Sequence, residues 1–174
     1  MPRSVLLAWL SLAGTFSDTT AAVVLSEIHY NPPPADFRGG EFVEIHNPDL
    51  EGVRLDGWRL KGGVDFTFPA GLVLAPGAYL VVCKDANYVR ERFGLSPLVA
   101  LGDYDERLDN SGDSIDLVDA ASAHVDGVEF DDKAPWAPEA DGAGGTLQRL
   151  CFPSPGRDPL SWSWGEPTPA AANA

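Results

Sequence analysis

From residue 23 onward the chain alternates short apolar runs with clusters of Gly, Pro, Asn and Asp. The runs are rich in Val, Ile, Leu, Phe, Tyr and Trp, side chains that fit a pleated, half-buried surface. They predict strands over 23–30, 41–46, 52–60, 66–68, 78–83, 114–119, 123–130 and 146–151. Between the runs stand NPPP at 31–34, RGG at 38–40, NP at 47–48, KGG at 61–63, PAG at 69–71, APG at 75–77 and DNSGD at 109–113. The prolines thus fall in the connections and spare the strands. One short, peripheral helix is expected over 86–93, with Asp85 as N-cap and Gly94 just past its end. Residues 131–145 carry no period and read as a loop, whose Trp136 is expected to pack over an open end of the sheet.

Strict alternation in 52–60 would put Val53, Leu55 and Arg59 on one face and Trp58 and Leu60 on the other. A kink at Asp56-Gly57 would turn Trp58 toward the core, because Gly tolerates the backbone angles required. A single sheet with one apolar face cannot bury itself, so the strands predict an all-β, two-sheet sandwich.

Composition sharpens this picture without changing it. At 174 residues and 44% apolar, the chain is large enough for one domain with a substantial core. Its formal net charge of -14 repels phosphate backbones and anionic lipid, which argues against nucleic acid as a partner and favours cationic groups. The N-terminus has Arg3, an apolar run VLLAWLSLAGTF at 5–16 and the polar stretch SDTTAA, the layout of a secretory signal peptide over 1–22. The apolar run is too short to span a bilayer comfortably. The mature chain is expected to begin at Val23 and to work outside the cytoplasm, secreted or periplasmic. There Cys83 and Cys151, the two cysteines, could pair as a disulfide or remain separate thiols.

The segments SEIHYNPP, EFVEIHNP, VRLDGWRLKGG and FTFPAGLVLAPGAYLVV, followed by LDNSGDSIDLVD, HVDGVEFDDKAPW and EADGAGGTLQRL, resemble in order and spacing the bacterial lamin tail domain. The likeness covers about 23–151 and leaves 152–174 as a Pro/Ala-rich tail. It implies an immunoglobulin-like sandwich and a non-catalytic binding or tethering role toward a protein or cell-surface polymer. The tail departs from the family pattern: EPTPAAANA at 166–174 has Ala170 where bacterial members carry Gly.

Two sets of residues invite a chemical reading. Glu27/His29 and Glu44/His46 repeat the spelling Glu-Ile-His, and residues two apart on a strand share a face. In register on neighbouring strands, the four could hold a transition metal. The plainer expectation is that Val43 and Ile45 face the core while Glu44 and His46 face water. The acidic stretch 102–113 offers Asp103, Asp105, Glu106, Asp109, Asn110 and Asp113 as oxygen ligands for Ca²⁺, but without the D-x-D-x-D-G spacing. No G-x-S-x-G, H-E-x-x-H or P-loop is present, so no enzyme and no cofactor are expected. Two alternatives stand beside the binding module: a small metal-dependent extracellular hydrolase using the Glu/His cluster, and a structural envelope component that self-associates.

Overall fold

The computed structural model describes residues 23–36 and 39–174, so the signal-peptide reading of 1–22 lies outside the described residues. The strands form two main sheets and a small ribbon. The first sheet has six strands, β1 (Val24–His29), β2 (Phe42–His46), β7 (Tyr79–Cys83), β8 (Ala100–Leu101), β11 (Thr146–Arg149) and β12 (Trp162–Gly165). Their order is β12-β11-β1-β2-β7-β8. The second sheet holds β4 (Arg59–Gly62), β5 (Phe66–Thr67), β9 (Gly112–Val118) and β10 (His124–Asp131), in the order β10-β9-β4-β5. The ribbon pairs β3 (Val53–Arg54) with β6 (Val73–Leu74).

The core lies between the two sheets. Leu25, Ile28, Val43, Ile45 and Leu147 face Leu60, Ile115, Leu117, Val128 and Phe130, all in one buried cluster. Tyr30 packs tilted against Phe130 at 4.6 Å, and Trp136, from the aperiodic loop, closes the same cluster as expected. The helix α1 (Ala86–Phe93) also matches its prediction. Asp85 accepts a hydrogen bond from the Tyr88 amide, and Gly94 ends the helix at φ 68°, a left-handed cap that favours glycine. This helix packs on the outer face of the first sheet, where Ala86 and Val89 join Phe42, Val81, Cys83 and Ala100.

Two irregularities decide which side chains face where. In β1 the register against β2 shifts between Leu25 and Glu27, a bulge at Ser26 that puts Leu25 and Ile28 on the core side together. The continuous strand expected over 52–60 is broken: Leu55-Asp56-Gly57-Trp58 closes a turn, with the Trp58 amide bonded to the Leu55 carbonyl and Gly57 at φ 72°. The chain there passes from the ribbon to the second sheet, so Leu55 and Leu60 are both buried and Trp58 packs against the core.

One boundary expectation needs correction, and one open alternative is decided. The chain from 152 onward is not a free tail, because β12 pairs along all of β11 and residues 166–174 fold back over the first sheet. Cys83 and Cys151 do not pair; both are free thiols, one buried and one exposed. The sheet order explains why: Cys83 ends β7, Cys151 follows β11, and β1 and β2 lie between. Three strand spacings amount to about 14 Å, against roughly 7 Å as the limit for a bridge. Burial also pushes the Cys83 thiol up to about 12. In a thiol titration of the native protein, Cys151 should therefore react at once and Cys83 only after denaturation. Loss of both thiols in denatured, unreduced protein would show a bridge instead.

Candidate functional site

The two Glu-Ile-His strands are neighbours, as a shared site requires, but they run antiparallel. That puts Glu27 directly opposite Glu44, His29 opposite Phe42, and His46 opposite Val24. Phe42 and His46 are four residues apart along β2, so the two imidazoles sit at opposite ends of the pair, roughly 13 Å apart along the strand. The four side chains do not converge. Among the described residues, no group of three or more His, Cys, Asp or Glu could hold a metal ion.

The expectation that Glu44 and His46 face water is also overturned. Glu27 and Glu44 are 0% exposed, His29 2% and His46 5%. An alternating strand normally signals one wet face, but here α1 and the C-terminal segment cover the outer face of the sheet. His46 is enclosed by stacking at 4.0 Å on Tyr79 and by a tilted contact at 4.5 Å with Phe152, with Nδ1 3.1 Å from the Ala78 carbonyl oxygen. His29 packs edge-on against Phe42 at 5.3 Å, and neither ring nitrogen has a hydrogen bond. Burial pushes its pKa down to about 4, while the nearby Gly40 backbone pulls the other way without making a hydrogen bond of normal geometry.

What the carboxylates do is visible in their donors. Glu27 accepts hydrogen bonds from the Thr168 amide at 3.0 Å, the Thr168 hydroxyl at 3.1 Å and the Thr146 hydroxyl at 2.5 Å. Glu44 accepts from the Ser26 hydroxyl at 2.7 Å and the Ala170 amide at 2.6 Å. Asn173 completes the fastening by donating to the Ser26 and Arg149 carbonyls, each at 3.0 Å. The bulge residue Ser26 and the segment 168–173 thus supply most of the donors that make two buried, facing carboxylates tolerable. These are fastening groups for the C-terminal segment. Sequence reasoning picked out the glutamates but missed Thr168, Ala170 and Asn173, although the departure at Ala170 marked that segment.

Burial raises both carboxyls above the usual carboxylate range, Glu44 to about 8. The Ser26 hydrogen bond lowers Glu44, the charge of Glu27 raises it again, and the Ala170 amide lowers it.

The acidic stretch likewise does not assemble a calcium cage. The Asp103 carboxylate accepts from the Ala86 amide, Asp109 from the Ser111 amide and hydroxyl, and Asp113 from the Ser114 and Asp109 amides. The oxygens that do converge there are the backbone carbonyls of Tyr104, Asp105 and Glu106, and they converge on the Lys84 ammonium at 3.0, 2.8 and 2.8 Å. Glu41, completely missed as a functional residue, anchors the loop by binding Arg107 and the Leu108 amide. An open groove of about 540 Å³ beside the loop mixes Arg59, Lys61 and Arg107 with Asp65, Glu106, Asp109 and Asp113, so acids and bases line it together.

Two measurements check this account. Ala170 sits at φ 66°, where a non-glycine residue is strained by roughly 1–2 kcal/mol. Ala170→Gly should therefore stabilise the protein by about 1 kcal/mol in denaturant unfolding, the gain being partly offset by the freer unfolded chain. The pH profile follows from the shifts. Between pH 4.5 and about 8, folded Glu44 holds a proton that the unfolded chain has lost, so its contribution falls as pH rises through that window. His29 acts oppositely, since below its ordinary 6.5 the unfolded ring is protonated first and stability is lost as pH falls toward 4. The two slopes oppose each other below pH 6.5. Above it stability should fall until about pH 8, by at most ~1.4 kcal/mol per pH unit for each group, and Glu44→Gln should flatten that fall.

The matched region of the known family model agrees with this architecture and stops short of the fastening segment. The Lamin Tail Domain model matches residues 17–132, while Thr146, Thr168 and Ala170 lie beyond its end. No curated protein matches the chain. The lamin tail domain is an immunoglobulin-like, non-catalytic β-sandwich, and this sandwich of a six-stranded and a four-stranded sheet is of that class. The match spans most of the chain, which therefore belongs to the lamin tail domain family.

Proposed function

We propose that the protein is a secreted or periplasmic binding or tethering module that engages a protein or cell-surface polymer through its strand edges and end loops, without a cofactor. The observation that carries this reading is the sealing of the polar cluster. The carboxylates and imidazoles that would serve a hydrolase are buried and committed to the C-terminal segment, to aromatic packing or to neither partner nor solvent. Catalysis needs groups that can meet a substrate together, and while His29 lines a cavity of about 350 Å³, Glu27 and Glu44 lie beneath the C-terminal segment and line no part of it. Large apolar side chains remain on the surface instead, with Leu150 64%, Leu160 80% and Trp164 47% exposed. The sequence layout of the N-terminus and the net charge of -14 support an extracytoplasmic setting and a cationic partner. No described helix is long and apolar enough to cross a membrane.

The test is capture from the native envelope fraction, paired with turnover assays on ester, phosphodiester and glycoside panels with and without divalent metals. A saturable partner with no turnover is expected. Metal-dependent turnover abolished by Glu44→Gln would establish the hydrolase instead, and concentration-dependent oligomers in light scattering would establish self-association.

A further inference from the structure

Among the described residues β12 ends the six-stranded sheet, with β11 on one side and no strand on the other. The pairing phase shows which of its backbone groups are free. The Leu150 amide donates to the Ser161 carbonyl, so in this antiparallel pair the hydrogen-bonded positions continue through Ser163 and Gly165. Trp162 and Trp164 hold the alternate positions, and their backbone groups point away from β11. The Trp162 amide is used by the preceding 3₁₀ turn, bonding to the Pro159 carbonyl. The Trp164 N–H, the Trp164 C=O and the Trp162 C=O are left at the rim.

Other strand margins are shorter or covered. β8 and β5 have two residues each. Along β10, Asp126 is bonded to the Leu25 amide, Gly156 crowds the Gly127 carbonyl, and Arg157 pairs with Asp116 and Glu129. Natural edges are usually guarded by Lys, Pro or a covering segment; WSWG contains no charge and no proline. Exposed Leu150, Leu160 and Trp164 flank it.

We infer that the free edge of β12 is the docking strand for an extended, basic peptide segment of a partner protein, added antiparallel or parallel to Trp162–Gly165. This rests on the binding-module reading and narrows it to one surface and one partner chemistry. Backbone donors and acceptors at strand spacing are matched by another extended chain and not by a sugar polymer. The charge of that chain follows from complementarity. Asp158 and Glu166 stand exposed at the two ends of the edge, and the whole chain carries -14. A second copy would bring the same charge to the same place, whereas Lys or Arg at alternate positions would meet the flanking carboxylates.

The experiment follows the Trp164 backbone amide by ¹H–¹⁵N spectroscopy while the protein is titrated with a capped Thr-Lys-Thr-Lys-Thr-Lys-Thr peptide. The expected result is a saturable shift of that amide together with its protection from solvent exchange. Binding should be at least tenfold weaker for the Thr-Glu counterpart, and also for a Thr-Lys peptide N-methylated at alternate residues, which keeps the charge but cannot pair. Trp164→Pro, which deletes the edge N–H, should weaken binding similarly; if that variant does not fold, the N-methylated peptide makes the same test from the other side. Equal binding of the N-methylated peptide, an unmoved Trp164 amide, or an edge already closed by a second copy overturns the inference. If a partner is captured from the envelope while the Trp164 amide stays unmoved, the edge assignment falls and the binding module stands. If neither partner nor peptide binds, both fall.

Discussion

Glu27 and Glu44 face one another across the two central strands of the larger sheet, wholly buried, and the rest of the outer face is arranged around them. Two adjacent carboxyl groups out of water lose their hydration and resist ionising together, which raises Glu44, and their oxygens are kept in place by donors that replace the water. The donors come from Ser26, Thr146, Thr168 and Ala170. Three different parts of the chain are thereby tied to one point: the bulge in β1, the start of β11 and the segment after β12. The C-terminal segment is a structural cover whose own backbone amides bind the strands beneath it.

The same device, a buried acidic group answered by donors from far along the chain, recurs at two other places. Asp126 of β10 accepts from the Leu25 amide at 2.8 Å and pairs with Arg149 of β11 at 3.1 Å, which joins the two sheets at their margin. Such a pair adds little net stability over apolar packing, but losing either partner strands a buried charge, so it fixes how the sheets sit. Glu41 plays the corresponding part for the acidic loop, holding Arg107 and the Leu108 amide, while Lys84 gathers three carbonyls of that loop. The fold thus commits these buried side chains to holding itself together, while the β12 edge carries Trp164 at its surface.

Much of the architecture was legible. The helix with its Asp85 and Gly94 caps, the turn at Gly57, Trp136 over the core and the longer strands follow from local chemistry, since caps, positive-φ turns and alternation depend on near neighbours, whereas the short β6 and β8 and the late β12 carry no such pattern. The site was legible only as a set of names. The sequence reading put Glu44 and His46 in water because alternation on one strand shows two faces without showing what covers the second. The abundance of carboxylates in 102–113 suggests calcium, but the Asp103, Asp109 and Asp113 carboxylates are answered by backbone amides and the Ser111 hydroxyl, and Lys84, far off in the sequence, takes the loop carbonyls.

By itself the sequence determined the class of fold, the punctuation of the strands and the acidity of the surface, all properties of short windows or of simple sums. Only the tertiary structure decided that β1 and β2 run antiparallel with Glu27 against Glu44, which sends His29 and His46 to opposite ends. Only it decided that EPTPAAANA returns to cover them, and that two strands stand between Cys83 and Cys151. Pairing and register depend on contacts between residues far apart in the chain. The hydrogen bond from Thr168 to Glu27 spans 141 positions, and no local pattern encodes its partner.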